Sequence, residues 1–140
     1  MAKEQMFDVS KFFTKDSGEK GVPFEPVVDG EKVGISFNVI SYHSVKAARA
    51  VEDFGKEVDE IKKLTDPEEK KRREFDANAT LATALVTGFS EGSRGPVAIN
   101  GKALEYSDEV CYAIMLNAVP IANAIIDFSI KTKNFLGRSV

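Results

Sequence analysis

A lone histidine, His43, and a lone cysteine, Cys111, are the natural reagents in this 140-residue chain. An imidazole titrates near neutrality and can act as a base or a ligand. His43 falls where an alternating apolar run gives way to a helical pattern, so the plainer reading is a turn residue or cap. Cys111 lies in "EVCYAIML", an apolar helical stretch. A reactive thiol needs an electropositive, accessible setting, so Cys111 reads as a buried structural thiol. One thiol and one distant imidazole do not make a zinc site, and no metal or cofactor is expected. A single cysteine allows no intramolecular disulfide, which suits a reducing compartment.

Carboxylates cluster at Asp59 and Glu60, at Asp66, Glu68 and Glu69, and at Asp76. They interleave with lysines and arginines at helical spacing. That is the pattern of a solvated face laced with weak ion pairs, without the geometry of a paired-carboxylate hydrolase. Lys70-Lys71-Arg72-Arg73 raises nucleic-acid binding. Four successive helical residues point in all directions, acids flank the run, and the formal charge of −3 disfavours a general polyanion binder. "GFSEGSRGP" lacks the lysine-serine ending of a P-loop, and no GxGxxG occurs. These residues do not point to an enzyme. What remains is apolar surface.

The elements that carry that surface follow from period. Residues 1–20 read as a polar arm with Phe7, Val9, Phe12 and Phe13 close together, ending in the loop "TKDSGEKG". Asp29-Gly30 between two apolar runs predicts a β-hairpin over about 21–42. Val33, Ile35, Phe37 and Val39 alternate as a half-buried strand. Pro23 and Pro26 make its partner an irregular edge. From Ser44, a candidate N-cap, Val45, Ala48, Val51, Phe54, Val58 and Ile61 recur every three or four residues and predict a helix over about 44–64. Asp66-Pro67 starts a second, over about 66–89, with Phe75, Ala79, Ala82, Val86 and Phe89 as its stripe. A long excursion follows, with a short extended piece at 97–99. Ser107 opens a helix over about 107–119, and Pro120 separates it from a last helix over about 120–133. The expected fold is mainly α, of the α+β kind: a single domain at 21–140 with an N-terminal hairpin packed on about four helices.

"VPIANAIIDFSIKTKNFL", Val119 to Leu136, is the most apolar stretch. Ile121, Ile125 and Phe128 lie on one side of the last helix, Ile126 and Ile130 on another. Such a helix is buried on several sides, in its own core or in a partner. Phe135 and Leu136 lie just beyond it. The candidate partner-binding surface is therefore Ile121, Ile125, Phe128, Phe135 and Leu136, with Leu116 and Val119 holding the helix pair together. No run reaches the roughly 18 apolar residues of a membrane span, and the polar start lacks a signal peptide's apolar run. Met1 suggests a complete gene product.

Gly88-Phe89, the loop with Asn100-Gly101, and "LEYSDEVCYAIMLNAVPIANAIIDFSIKTKNFL" together resemble the tail assembly chaperones of long-tailed, lambda-like bacteriophages. In that family an aromatic residue closes a helix, and a loop leads to a Leu-x-Tyr/Thr-x-acid helix start. A short helix reaches a proline, and the last helix ends in Asn-Phe-Leu or similar. The Asp-Gly hairpin, Ser44 to Arg49 and the long charged helix fit the same pattern, which spans about 20–136. Phe89 departs from it, since tryptophan is common there, and residues 1–20 have no counterpart. The resemblance implies a non-enzymatic protein of the host cell cytoplasm, absent from the mature virion. It implies binding to the tape measure protein, which it keeps soluble. It implies recruitment of tail tube protein, through a frameshifted extended form, and self-association, for which the irregular hairpin edge is one candidate. No nucleic acid and no membrane are expected as partners.

Two other readings stand beside it. A virion structural protein, such as a connector or tail completion factor, would also self-assemble without catalytic groups. A small nucleic-acid-binding regulator would use Lys70–Arg73. Lys133-Asn134-Phe135 can be encoded as AAA-AAU-UUC or AAA-AAU-UUU, either holding a slippery heptamer. Sequencing the locus is expected to reveal such a heptamer near this point and an open minus-one frame. Neither being found would favour the virion structural protein.

Overall fold

A computed structural model describes residue 6 and residues 8–136; Phe7 lies outside the described residues. Asp29 and Gly30 both take positive φ, 51° and 81°, as do Asn100 and Gly101, 51° and 83°. A two-residue hairpin turn of type I′ needs both central residues there. The first turn joins β2 (Val27–Val28) to β3 (Glu31–Lys32), and the same ribbon continues as β1 (Val22–Phe24) against β4 (Ile35–Val39). Val22 faces Val39, but Val27 faces Lys32, so the ribbon changes register between its two halves. Glu25 fills that break. Its carboxylate accepts from the Gly34 N–H at 3.0 Å and from the Ser93 N–H and Oγ at 3.0 and 2.9 Å. A Cβ on Gly92 would fall 2.8 Å from the Glu25 carboxyl carbon, so a side chain there would push the Glu25 carboxylate off its partners.

β4 is buried on its core face through Ile35, Phe37 and Val39, as the alternation predicts. It also has a second partner. The helix expected over 66–89 stops at Ala84, and β5 (Val86–Glu91) pairs antiparallel with β4, giving the order β1-β4-β5. Val86 and Phe89 thus leave the helical stripe for the sheet. Spacings of three and four cannot tell a short apolar strand from a helix end, and the bare edge of β4 decides in favour of the strand. The excursion after β5 carries a small ribbon, β6 (Ala98–Ile99) with β7 (Lys102–Ala103).

The described residues form five α-helices, α1 (Lys15–Lys20), α2 (Ala48–Lys62), α3 (Pro67–Ala84), α4 (Asp108–Asn117) and α5 (Val119–Ile130); α3 and α5 meet the strands, while α2 and α4 pack on α3. The predicted caps at Asp66 and Ser107 form, their side chains accepting from the N–H groups of Glu68 and Val110. Ser44 caps a turn ahead of α2, accepting from the Ala47 N–H at 3.1 Å. α4 and α5 meet at Ala118 with a bend of 109°. Among the described residues no single helix is long and apolar enough to cross a membrane.

The first twenty residues are not all a detached arm. α1 docks on the body: Gly18 is buried, and its carbonyl accepts from the Ser41 N–H at 2.9 Å. The Glu19 carboxylate accepts from the N–H groups of Val45 and Lys46 at the entry to α2. Among the described residues ahead of α1, a short 3₁₀ turn, Val9–Phe12, is formed, and none of its residues is buried.

Partial burial pushes the Glu25 carboxyl up, but hydrogen bonds from Ser93 and Gly34 and the nearby Lys32 charge outweigh it and hold it below 4.5. A depressed folded-state value means that its contribution is complete above about pH 4.5 and is lost as pH falls through the folded value. Glu25→Gln is expected to lower the urea midpoint at neutral pH and to shrink its fall between about pH 6 and about pH 3. An unchanged acid limb would show that Glu25 does not hold the ribbon to the 92–95 loop.

Candidate interaction surface

The residues picked out at the C-terminal end form a wall of the core. Ile125 is 0% exposed and Phe135 is 1% exposed. Ile121, Phe128 and Leu136 are partly buried. Phe128 stacks on Phe24 of β1 with ring centroids 4.2 Å apart, and the Phe135 ring meets its other side edge-on at 5.8 Å. The Asn134 side-chain amide donates to the Phe128 carbonyl at 2.9 Å, closing a 3₁₀ turn over Thr132–Phe135 that folds Phe135 back under α5. This corrects the expected contact surface: the chain past α5 turns inward. Leu116, expected between α4 and α5, is instead exposed.

The reactive candidates sit in unlike settings. His43 is exposed in a turn, its backbone N–H donating to Ser41 Oγ at 3.0 Å and its ring edge-on to Tyr42. Cys111 is fully buried, and burial pushes its thiol up to about 11. Three of the four basic residues meet neighbours. Arg73 grips Glu57 of α2 with two bonds of 2.9 Å, Arg72 pairs with Glu69, and Lys71 lies over the Phe75 ring. The Arg73 hydrogen bonds hold the Glu57 carboxyl below its ordinary value.

Uncovered apolar surface stands out in two places. The first is the N-terminal arm, where Val9, Phe12 and Phe13 are 55%, 56% and 61% exposed. The second is a groove of about 580 Å³ between α2 and α3. Its floor is Ala50 and Phe54 from α2 and Ala77 and Leu81 from α3. Its rim is charged: Lys46 and Arg49 at one end, Asp53 beside them, Glu57 and Asp76 further along. Glu57 is held by Arg73, and Asp76 accepts from the Tyr112 hydroxyl of α4, so both acids are engaged within the fold. The groove exists because α2 is amphipathic but thinly covered. Ile61 is the one residue in α2 that is fully buried, while Val51, Phe54 and Val58 are partly open. Opposite them α3 offers small alanines at 77 and 79.

Apolar floors of this size with charged rims suit one side of an amphipathic helix. Sequence period located Phe54 on the inner stripe of α2. It did not reveal that Ala77 leaves space opposite. Comparison with protein-family models, with curated proteins and with solved structures gave no match.

Phe135→Ala is expected to cost about 3–5 kcal/mol of folding stability, the usual price of emptying a buried aromatic site. Denaturant titration measures it. Stability within about 0.5 kcal/mol of the parent would restore Phe135 as a contact residue.

Proposed function

We propose that this protein is a non-enzymatic module that works by protein–protein contacts, holding an amphipathic helical segment of a client. More particularly, we propose a phage tail assembly chaperone, which binds and solubilises the tape measure protein in the host cytoplasm, helps recruit tail tube subunits, and is left out of the finished virion. The observation that carries this reading is the α2–α3 groove, with its apolar floor of Ala50, Phe54, Ala77 and Leu81. The resemblance of the C-terminal half to that family supplies the identity of the client.

The physics of the reading is simple. A long helical client aggregates through its apolar stripe. A groove that covers part of that stripe removes apolar area from water, worth roughly 25 cal/mol per Å². The surface around it must stay charged to keep the complex dissolved. The α2–α3 pair meets both needs, since its outer faces carry ion pairs such as Lys56 with Glu52 and Lys63 with Glu60.

Co-expression with a tape measure protein is expected to keep that protein soluble. Phe54→Glu places a charge on the groove floor and is expected to weaken binding at least about 30-fold, or about 2 kcal/mol. A client that stays soluble with the Phe54→Glu chain rules out the groove. A protein found in purified particles by mass spectrometry belongs instead to the virion structure.

A further inference from the structure

We propose that the α2–α3 groove holds a client helix in one direction only, antiparallel to α2. The helix it selects carries a basic residue and, four places later, an acidic one beside its apolar stripe. This deepens the client reading above and rests on it. The groove is charged unevenly along its length. Lys46 and Arg49 stand where α2 begins, and Asp53 stands one turn further on. All three are exposed, and among the described residues no ion pair engages their side chains. The other acids of the rim are engaged, Glu57 by Arg73 and Asp76 by the Tyr112 hydroxyl. Glu19 also lies at the entry to α2, with its carboxylate accepting from the Val45 and Lys46 N–H groups. Two cations and then an anion beside one apolar floor give that floor a direction.

Side chains must set the direction, because the backbone does not. α2 and α3 are joined by a short connection at 63–66 and run opposite ways, so their macrodipoles offset each other along the groove. A helix laid on the floor brings a dipole of its own, negative at its C-terminus. That end is favoured beside Lys46 and Arg49, and the positive N-terminal end beside Asp53 and Asp76. The client therefore runs against α2. Its spacing follows from the rim. Arg49 and Asp53 are one helical step of four residues apart, about 6 Å, and residues four apart on the client share a face in the same way. In the antiparallel sense a client lysine meets Asp53, and a glutamate four places later meets Arg49. Lysine ahead of glutamate is the weaker order for pairing within one helix, so both charges can turn to the rim. From Arg49 to Glu57 the floor is about 12 Å long, which a little over two turns of client cover.

Two synthetic peptides of about 18 residues, long enough to be partly helical, provide the test. Both have blocked ends and leucines at three-four spacing on alanine. One carries a central Lys-x-x-x-Glu, the other Glu-x-x-x-Lys. Isotope-labelled full chain is titrated with each and followed by its amide NMR shifts. The second peptide can match both rim charges only by reversing, which sets its dipole against them, and is expected to bind about threefold more weakly. A nitroxide at the C-terminal end of the first is expected to broaden the amides around Arg49 and Ala50 more than those around Glu57 and Val58. Arg49→Glu is expected to weaken the first peptide about fivefold, and lysine in place of the peptide's glutamate to restore it. Broadening at the Glu57 end instead, or equal binding of the two peptides, overturns the direction and leaves the groove as a docking site. Binding that Phe54→Glu does not weaken, or none at millimolar peptide, sinks the groove reading and this inference with it. Should Phe54→Glu lose its helical circular dichroism, the nitroxide and the Arg49 exchange decide alone. A groove already filled by a second copy, seen as a dimer in sedimentation that the peptides do not dissolve, overturns the proposal too.

Discussion

The fold is organised around the backbone of Ile40, Ser41 and Tyr42, the three residues that leave the central strand. Their polar groups lie where no ladder continues, and buried amides and carbonyls must still be paired. Each finds a different segment. The Ile40 N–H donates to the Leu85 carbonyl at 2.9 Å, at the junction of α3 and β5. The Ser41 N–H donates to Gly18 of α1, and the Tyr42 N–H to the Ser129 carbonyl of α5 at 3.1 Å. The Ser129 hydroxyl, wholly buried, donates back to the Ile40 carbonyl at 2.9 Å. Sheet, first helix, long hairpin and last helix are therefore tied at one place.

That knot explains why the C-terminal stretch faces inward. With Ser129 bound to Ile40, the α5 face bearing Ile125 and Ala122 lies on the core, where both are at most 1% exposed. Phe128 then meets Phe24, and the short turn after α5 brings Phe135 beneath it. Among the described residues no buried side-chain nitrogen or oxygen lacks a hydrogen-bond partner.

The α2–α3 hairpin meets the knot only at Leu85, the C-cap of α3. It is held by a cap at Asp66, by the two bonds between Arg73 and Glu57, and by half-covered apolar residues. α3 carries buried alanines at 77, 79 and 82, and it packs against α2, α4 and α5. The same small side chains leave the Phe54 ring partly open on the outer side. A close-packed interior and an open groove thus come from one choice of residue. The arm adds a second exposed apolar element, joined to the groove's own entry through α1 and Glu19.

Much was legible in the chain before any tertiary fact. Asp29-Gly30, the alternation at Ile35, Phe37 and Val39, the caps at Asp66 and Ser107, and the break at Pro120 are local signals with local causes, and each appears where its residues put it. The α+β class follows from them. Other features have no local cause. Val86–Glu91 became a strand because β4 needed a second neighbour, and a three-four spacing of apolar residues is silent on that. Phe135 and Leu136 looked like exposed ends, because a sequence does not say where a chain turns after its last helix. The groove is the space between two helices, set by what Ala77 lacks across from Phe54. Period and turn chemistry act over a few residues and so are written in the sequence. Burial is shared among segments far apart in the chain, and only their packing decides it.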